Sequence, residues 1–344
     1  MVLNGTIIKQ VSSHNHLGLD FNDRLTWDTH IKRIITGANK IICLLKSLYK
    51  HIPRTAKSQI YKTFIRPKLE YACVIFDACP QNLSAALEHV QRQAALTVLG
   101  AYRKTSHISL LDELGWEPLA VRRKVYKLSL FYKMICGLVP EYLCTLIPQT
   151  IASILSYELR NQNNLREVHA RTVRFKKSYI PSTVSSWNRL SLDTRGLPTL
   201  SAFKAKLKDD HYRVPKKLHL YGTSHGAVNH SRIHMGLSGL NQQRRKYNFI
   251  DSGRCSTCNF IREDAQHYFL KCSTYAIQRG MMYGEICHTL TTNVNPDLLI
   301  PQTAEELTEF LKLILHGSDQ SDYKTNKAIF DSVHNFIYTS KRFM

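Results

Sequence analysis

Apolar residues recur at helical spacing through the first 140 residues. At 100° per residue, Ile31, Ile34, Ile35, Ala38, Ile42, Leu45 and Tyr49 share one face, with Lys32, Arg33, Lys40 and Lys50 broadly opposite. His51-Ile52-Pro53 ends that helix, and the proline can open a second one over roughly 54–66, weakened by Pro67. A third carries Leu83, Leu87, Val90, Ala94 and Val98 on one stripe and stops at Gly100; a short helix after Ser106-His107 leads to Gly115. A fourth spans about 118–136 and ends at Gly137. It has Val121, Val125, Leu128, Tyr132 and Ile135 predicted inward and Arg122, Arg123, Lys127 and Lys133 outward. Only the first 26 residues suggest a strand, near His16 to Leu19, before the polar turn Asn22-Asp23-Arg24.

Beyond 147 the pattern weakens. Residues 148–178, with Asn161-Gln162-Asn163-Asn164, read as a linker or loop, followed by short helices around 181–190 with Trp187 and 199–208 with Phe203. The polar stretch 209–231 holds His211, His219, His225 and His230, with His234 just beyond, at spacings that repeat no ligand-like interval, and reads as loop. No fixed-period repeat is present. The expected fold is mainly α: a helical bundle with a basic outer surface.

A length of 344 residues suggests about two domains, or one large helical body with a small appendage. Ordinary apolar and charged content excludes collagen-like, mucin-like and wholly disordered chains. The longest apolar stretch, 125–140, is broken by Lys127 and Lys133, short of the roughly 20 clean residues a span needs. MVLNGTIIKQ lacks the pattern of a secretory signal, so an intracellular protein, nuclear or cytoplasmic, is expected.

Charge adds more. Residues 1–248 hold 38 Lys and Arg against 15 Asp and Glu, net +23, whereas residues 249–344 hold 9 against 11, net −2. So positive a body attracts polyanions, and RNA or DNA is the expected partner. A membrane partner is not expected, because neither a compact polybasic run nor a lipidation motif accompanies the charge. The alternative is a solubilising surface on a helical protein-interaction scaffold. Nine cysteines without a signal argue against a disulfide framework; Cys43, Cys73, Cys136 and Cys144 read as small buried hydrophobes, and Cys79 as a loop residue.

One constellation has metal spacing. RCSTCNFIREDAQHYFLKC gives Cys255-x2-Cys258-x8-His267-x4-Cys272. The first pair can wrap an ion in a tight turn, and a histidine and third cysteine complete a tetrahedron with bonds of about 2.3 Å to sulfur and about 2.0 Å to nitrogen. Four protein ligands leave no open position, so a structural zinc ion is expected. Cys287-His288 is a weaker substitute ligand source. No phosphate loop, nucleophile elbow or zincin helix appears. The adjacent Asp209-Asp210 sits in a basic helix end, not on the hydrophobic hairpin of a polymerase palm, and a nuclease-like set of Asp297, Glu309 and Lys312 has a Glu-to-Lys spacing of three rather than two, so the acidic residues read as a solvated helix face.

The segment HLGLDFNDRLTWDTHI, through Leu17-Gly18, Asp20, Leu25, Trp27 and His30-Ile31, resembles the stretch after the palm in reverse transcriptases of non-LTR (LINE-type, jockey-like) retrotransposons. YKTFIRPKLEYAC is similar to that family's thumb, STVSSWNRL and LSAFKAKL to its post-thumb region, and the Cys-Cys-His-Cys motif to one near the polyprotein's end. The likeness runs over roughly residues 14–280 in the family's order. It implies a palm-end strand in 1–26 and a basic helical thumb in 27–147. A linker with short helices would follow in 148–230, a zinc-knuckle-like module in 231–290 and a helical tail in 291–344. The family's palm and endonuclease lie upstream of these regions. The resemblance therefore implies a nucleic-acid-binding portion, non-catalytic alone, with the polymerase and endonuclease portions as candidate partners; a domesticated or decayed remnant is the alternative. Phosphate contacts are expected from Lys32, Arg33, Lys40, Arg122, Arg123 and Lys127, and from Arg171, Arg174, Lys176 and Lys177.

Overall fold

The computed structural model describes residues 2–3, 6–7, 10–48, 52–154, 162–211, 224–290, 301, 303–318 and 321–344. The chain is mainly α-helical. Two short antiparallel pairs open it: Val2–Leu3 with Thr6–Ile7, and Ser13–His16 (β1) with Leu19–Asn22 (β2). In the second, Leu17 and Gly18 turn with φ of 48° and 80°, the left-handed pair that a two-residue hairpin requires. The longer helices are α1 (Asp28–Ser47), α2 (Gln81–Leu99), α3 (His107–Leu114), α4 (Leu119–Ile135), α5 (Tyr179–Asn188), α6 (Leu200–His211), α7 (Ser224–His234), α8 (Ala276–Leu290), α9 (Ala304–His316) and α10 (Tyr323–Thr339). The stops predicted at Gly100, Gly115 and Gly137 are observed, with φ of 62°, 58° and 67°.

The chain folds as two compact units, one formed by 1–43, 62–91 and 117–214 and the other by 44–61, 92–116 and 215–344. In the first, Ile31, Ala38 and Ile42 of α1 are buried, as are Ile65, Leu69 and Phe76, while Lys32, Arg33 and Lys40 face solvent. The chain runs past Pro67 as a π turn, Tyr61–Ile65, and a short helix, Arg66–Glu70; Pro67 falls in the opening turn, where its missing N–H is tolerated. A second apolar centre joins α4, α5 and α6. Tyr132 stacks on Phe203 at 4.6 Å, and Trp187 meets Phe131 at 5.5 Å and Phe203 at 5.6 Å. Within the expected linker, the Asn188 side chain bonds both backbone groups of Leu165, at 3.0 and 2.8 Å, so that stretch is fastened to the core.

The fourth predicted helix corrects the helical-wheel reading. Arg123 and Lys127 are buried, not outward, and Ile135 is exposed rather than inward. Arg122 pairs with Glu70 and with Glu117 (2.7 Å), and its guanidinium donates to the Tyr126 hydroxyl at 2.8 Å. Arg123 lies 3.4 Å from Asp77 and 3.9 Å from Glu88 and donates to Ser84 at 2.6 Å; Lys127 lies 3.0 Å from Asp77. Long cationic stems cover apolar surface while their heads reach carboxylates brought from other elements.

In the second unit, α7, α8, α9 and α10 share a core with the 255–275 segment: Ile233, Tyr268, Phe269, Ile286, Ile314, Phe330 and Phe336 are all within it. A capping box starts α9, with Thr303 Oγ1 accepting from Glu306 N at 3.2 Å and Glu306 Oε2 accepting from Thr303 N at 3.1 Å. The described histidines of that stretch are helical rather than loop: His225, His230 and His234 lie on α7, and His211 closes α6. Cys43 and Cys136 are exposed and Cys144 is half-buried, whereas Cys73 and Cys79 are buried, so composition alone misplaced three of the five. Tyr49, Lys50, His51, Asn161, His219 and Asp297 lie outside the described residues.

Candidate metal centre and cationic surfaces

The metal motif forms as its spacing predicts. Cys255 and Cys258 flank a tight turn closed by Asn259 N to Cys255 O (3.1 Å) and Cys255 N to Phe260 O (2.9 Å), with Asn259 left-handed at φ 59°. Asp264 then caps the next helical turn, accepting from His267 N at 2.9 Å, and His267–Lys271 runs as a π turn that ends at Cys272. Phe260 lies flat on the His267 imidazole, 4.7 Å between centroids and 1° from parallel. The ligand atoms of Cys255, Cys258, His267 and Cys272 all lie within 4.8 Å of one another, and Cys258 Sγ is 3.2 Å from His267 Nε2. Sulfurs bound tetrahedrally at about 2.3 Å are about 3.8 Å apart, so the cluster is the size of an ion's coordination shell. Cys287 is buried on α8 and is not part of the cluster.

Its protonation suits a cation-dependent site. Burial, helped by Arg279 and Lys271, pushes the His267 pKa below its ordinary value and keeps the ring neutral against the pull of Glu263 and Asp264. Burial likewise pushes the Cys258 thiol up to about 11; a bound cation would displace that proton. Behind the ligands, Glu263 is fully buried and takes Arg342 at 2.6 and 2.7 Å and the Asn241 amide at 2.7 Å. Arg279 bonds the Cys272 carbonyl at 2.8 Å. Four protein ligands fill a tetrahedron, so a metal here would hold structure and leave no position for substrate.

The ten cations expected to meet phosphate separate into three groups. Lys32, Arg33 and Lys40 are exposed on α1. Arg33 is partly engaged, bonding Asp20 and the Gly18 carbonyl at 2.6 Å each. Arg33 and Lys40 line a groove of about 710 Å³ with Lys68 and Tyr71, two residues that periodicity did not single out because they lie beyond the first helix. Arg171, Arg174, Lys176 and Lys177 are exposed on and just before a short helix, Val173–Lys177, capped by Thr172 Oγ1 accepting from Phe175 N at 3.1 Å. Arg122, Arg123 and Lys127 form the third group, committed to the internal carboxylates already described. Glu309 and Lys312 pair at 2.6 Å on an exposed helix face, in keeping with the solvated reading.

Sequence reasoning also missed a buried polar network in the second unit. Ser231 Oγ meets Glu113, His234 Nδ1 lies 2.9 Å from Glu113, and Arg54 donates to Ser231 Oγ at 2.9 Å. His230 and His334 bond ring to ring at 3.1 Å.

Fold and site together define a mainly helical protein with a strong cationic excess and a closed Cys3His cluster able to hold a metal ion. Among the described residues no helix is long and apolar enough to cross a membrane. Comparison with protein-family models, with curated proteins and with solved structures gave no match.

Proposed function

We propose that the protein binds RNA or DNA as a counterpart of the thumb and following region of a non-LTR retrotransposon reverse transcriptase, with zinc held by Cys255, Cys258, His267 and Cys272. The observation that carries the reading is how charge is distributed in the first unit. Glu70, Asp77, Glu88 and Glu117 are paired with Arg122, Arg123 and Lys127 of α4, while Lys32, Lys40, Lys68, Lys176 and Lys177 stay at the surface without a carboxylate partner among the described residues. The solvent-facing surface is therefore more cationic than the composition indicates. Tyr71 beside Lys68 adds an exposed ring at the groove. Zinc suits the donor set, since three thiolates and an imidazole in a tetrahedron match its preferences.

The test is a titration of the zinc-loaded chain against duplex DNA and structured RNA at about 50 and about 200 mM salt, where several phosphate contacts cost orders of magnitude in affinity. Lys40→Glu with Lys68→Glu should lower the salt slope by about 2, near one per contact. Weak, salt-insensitive binding would instead favour the protein-interaction scaffold.

A further inference from the structure

We infer that a second site, a basic and aromatic cleft in the second unit, binds an unstacked single-stranded nucleotide segment, bases against Tyr102 and Phe249 and phosphates against Arg103, Lys104 and Arg244. The inference rests on the nucleic-acid reading above and assigns it a second, chemically different surface. The cleft encloses about 700 Å³. Its lining comes from three places in the chain: the loop between α2 and α3, the stretch from α7 to Phe249, and Arg342 and Phe343 after α10.

Two features give it this chemistry. The first is charge: five Arg or Lys residues line the cleft and no Asp or Glu among the described residues does. The second is exposed ring area. Tyr102 is 47% and Phe249 64% exposed, far more than rings placed for core packing, and both are flanked by cations: Arg232 sits 4.9 Å over Tyr102, and Lys104 5.9 Å over Phe249. A ring face beside a guanidinium or ammonium suits a base whose phosphate needs a counter-charge. An acidic peptide would use the cations but would leave the rings idle.

The walls are also fixed in advance. Arg92 donates to the carbonyls of Arg103 and Thr105 (the latter at 3.0 Å), and Arg232 grips the Gly100 carbonyl. The loop bearing Tyr102, Arg103 and Lys104 is thus held by its backbone while those three side chains stay exposed. Arg232 serves the wall, so the phosphate contacts fall to Arg103, Lys104 and Arg244.

The experiment compares the zinc-loaded full chain with Phe249→Ala, Tyr102→Ala and Arg103→Glu/Lys104→Glu. The probes are a 12-nucleotide single-stranded RNA, a 12-base-pair duplex and an inorganic polyphosphate of equal charge. Each aromatic truncation should weaken the single strand about 5- to 150-fold, the worth of one stacked base, and leave duplex and polyphosphate unchanged. The charge reversal should weaken single strand and polyphosphate together. Both aromatic residues are exposed, so neither change threatens folding, which circular dichroism checks. If the chain binds nucleic acid but the aromatic variants bind the single strand normally, or if polyphosphate matches RNA in the parent, the cleft is no base-binding site and the first unit's surface stands alone. If the parent binds none of the nucleic acids, both readings fall.

Discussion

The His230–His334 pair sets a strong pH dependence on the second unit. His230 Nε2 is 2.7 Å from the Ile314 carbonyl, so that nitrogen carries the proton and Nδ1 accepts. His334 Nε2–H must then be the donor across the 3.1 Å contact, and His334 Nδ1, buried and without a partner among the described residues, is left unprotonated. Both rings are locked neutral. Burial pushes His334 down from 6.5 to about 4, with Arg54 and Lys327 adding to the effect and Asp331 opposing it; His230 is lowered too, chiefly by burial.

A histidine whose folded pKa is depressed contributes its full stability above the unfolded value of 6.5, and loses it as pH falls toward the folded value, because the unfolded chain takes the proton first. For His334 alone the loss works out at about 2 kcal/mol by pH 5 and about 3 kcal/mol by pH 4. The perturbation is His334→Phe, read by urea unfolding with circular dichroism from pH 7.5 to 4.5. At neutral pH the variant should be about 1–3 kcal/mol less stable, since the His230 acceptor loses its donor. The gap should close toward pH 4.5, where the parent has forfeited about 2.5 kcal/mol that the variant never had. Acid release of any metal held by the Cys3His cluster would affect both proteins and cancel in the difference. Parallel curves would refute the neutral-pair account.

Cys258→Ser should reduce bound zinc from one equivalent to near zero by elemental analysis, and stoichiometric metal in that variant would remove Cys258 from the ligand set. Gly226→Ala should destabilise by about 1–3 kcal/mol in thermal unfolding, because the new Cβ would lie 2.6 Å from His334 Cβ and 2.9 Å from its backbone. At a free helix position the same change would stabilise by about 1 kcal/mol, so the sign decides. Arg123→Ala should cost about 2 kcal/mol of stability by removing the buried guanidinium that Asp77 and Glu88 share, with Lys127 still pairing with Asp77 and the Leu119 and Ala120 amides with Glu88, while leaving the salt slope of RNA binding unchanged; a reduced slope would return Arg123 to the phosphate-contacting surface.

What the sequence revealed depended on whether the partners lay nearby in the chain. The stripe Leu83, Leu87, Val90, Ala94 and Val98 is buried as its spacing predicts, because apolar periodicity reports a face whatever covers it. The metal set was legible because all four ligands fall within 18 residues. Arg123 and Lys127 were misread because a helical wheel sorts by residue type, whereas the carboxylates that receive them, Asp77 and Glu88, stand 35 to 50 positions away. His230 and His234 of α7 hid for the same reason, their partners being Glu113, Ile314 and His334. The cleft in the second unit, assembled from three separated stretches, has no local signature at all.

The Cys3His cluster and that cleft are tied together through the hydrogen bonds of Glu263. Arg244, Tyr247 and Phe249 ride on the stretch between Leu240 and Cys255, and Glu263 fastens both its ends: it accepts from the Asn241 amide (2.7 Å) and, through its carbonyl, from Gln242 N (3.1 Å), while its own amide donates to Gly253 O (2.8 Å). Glu263 sits between Cys258 and His267 in sequence, and its carboxylate also grips Arg342, which lines the cleft as well. A metal ion held by Cys255, Cys258, His267 and Cys272 would brace the hairpin that positions Glu263, so stripping it should make cleft and centre fail together. Chelation should therefore weaken single-strand binding to the level of the Phe249→Ala variant, yet spare the salt-steep binding that depends on Lys40 and Lys68. Equal loss on both surfaces would mean that the ion supports the whole fold. No loss on either would mean that packing around Tyr268 and Phe336 alone holds the hairpin, and that the ion contributes stability without shaping recognition.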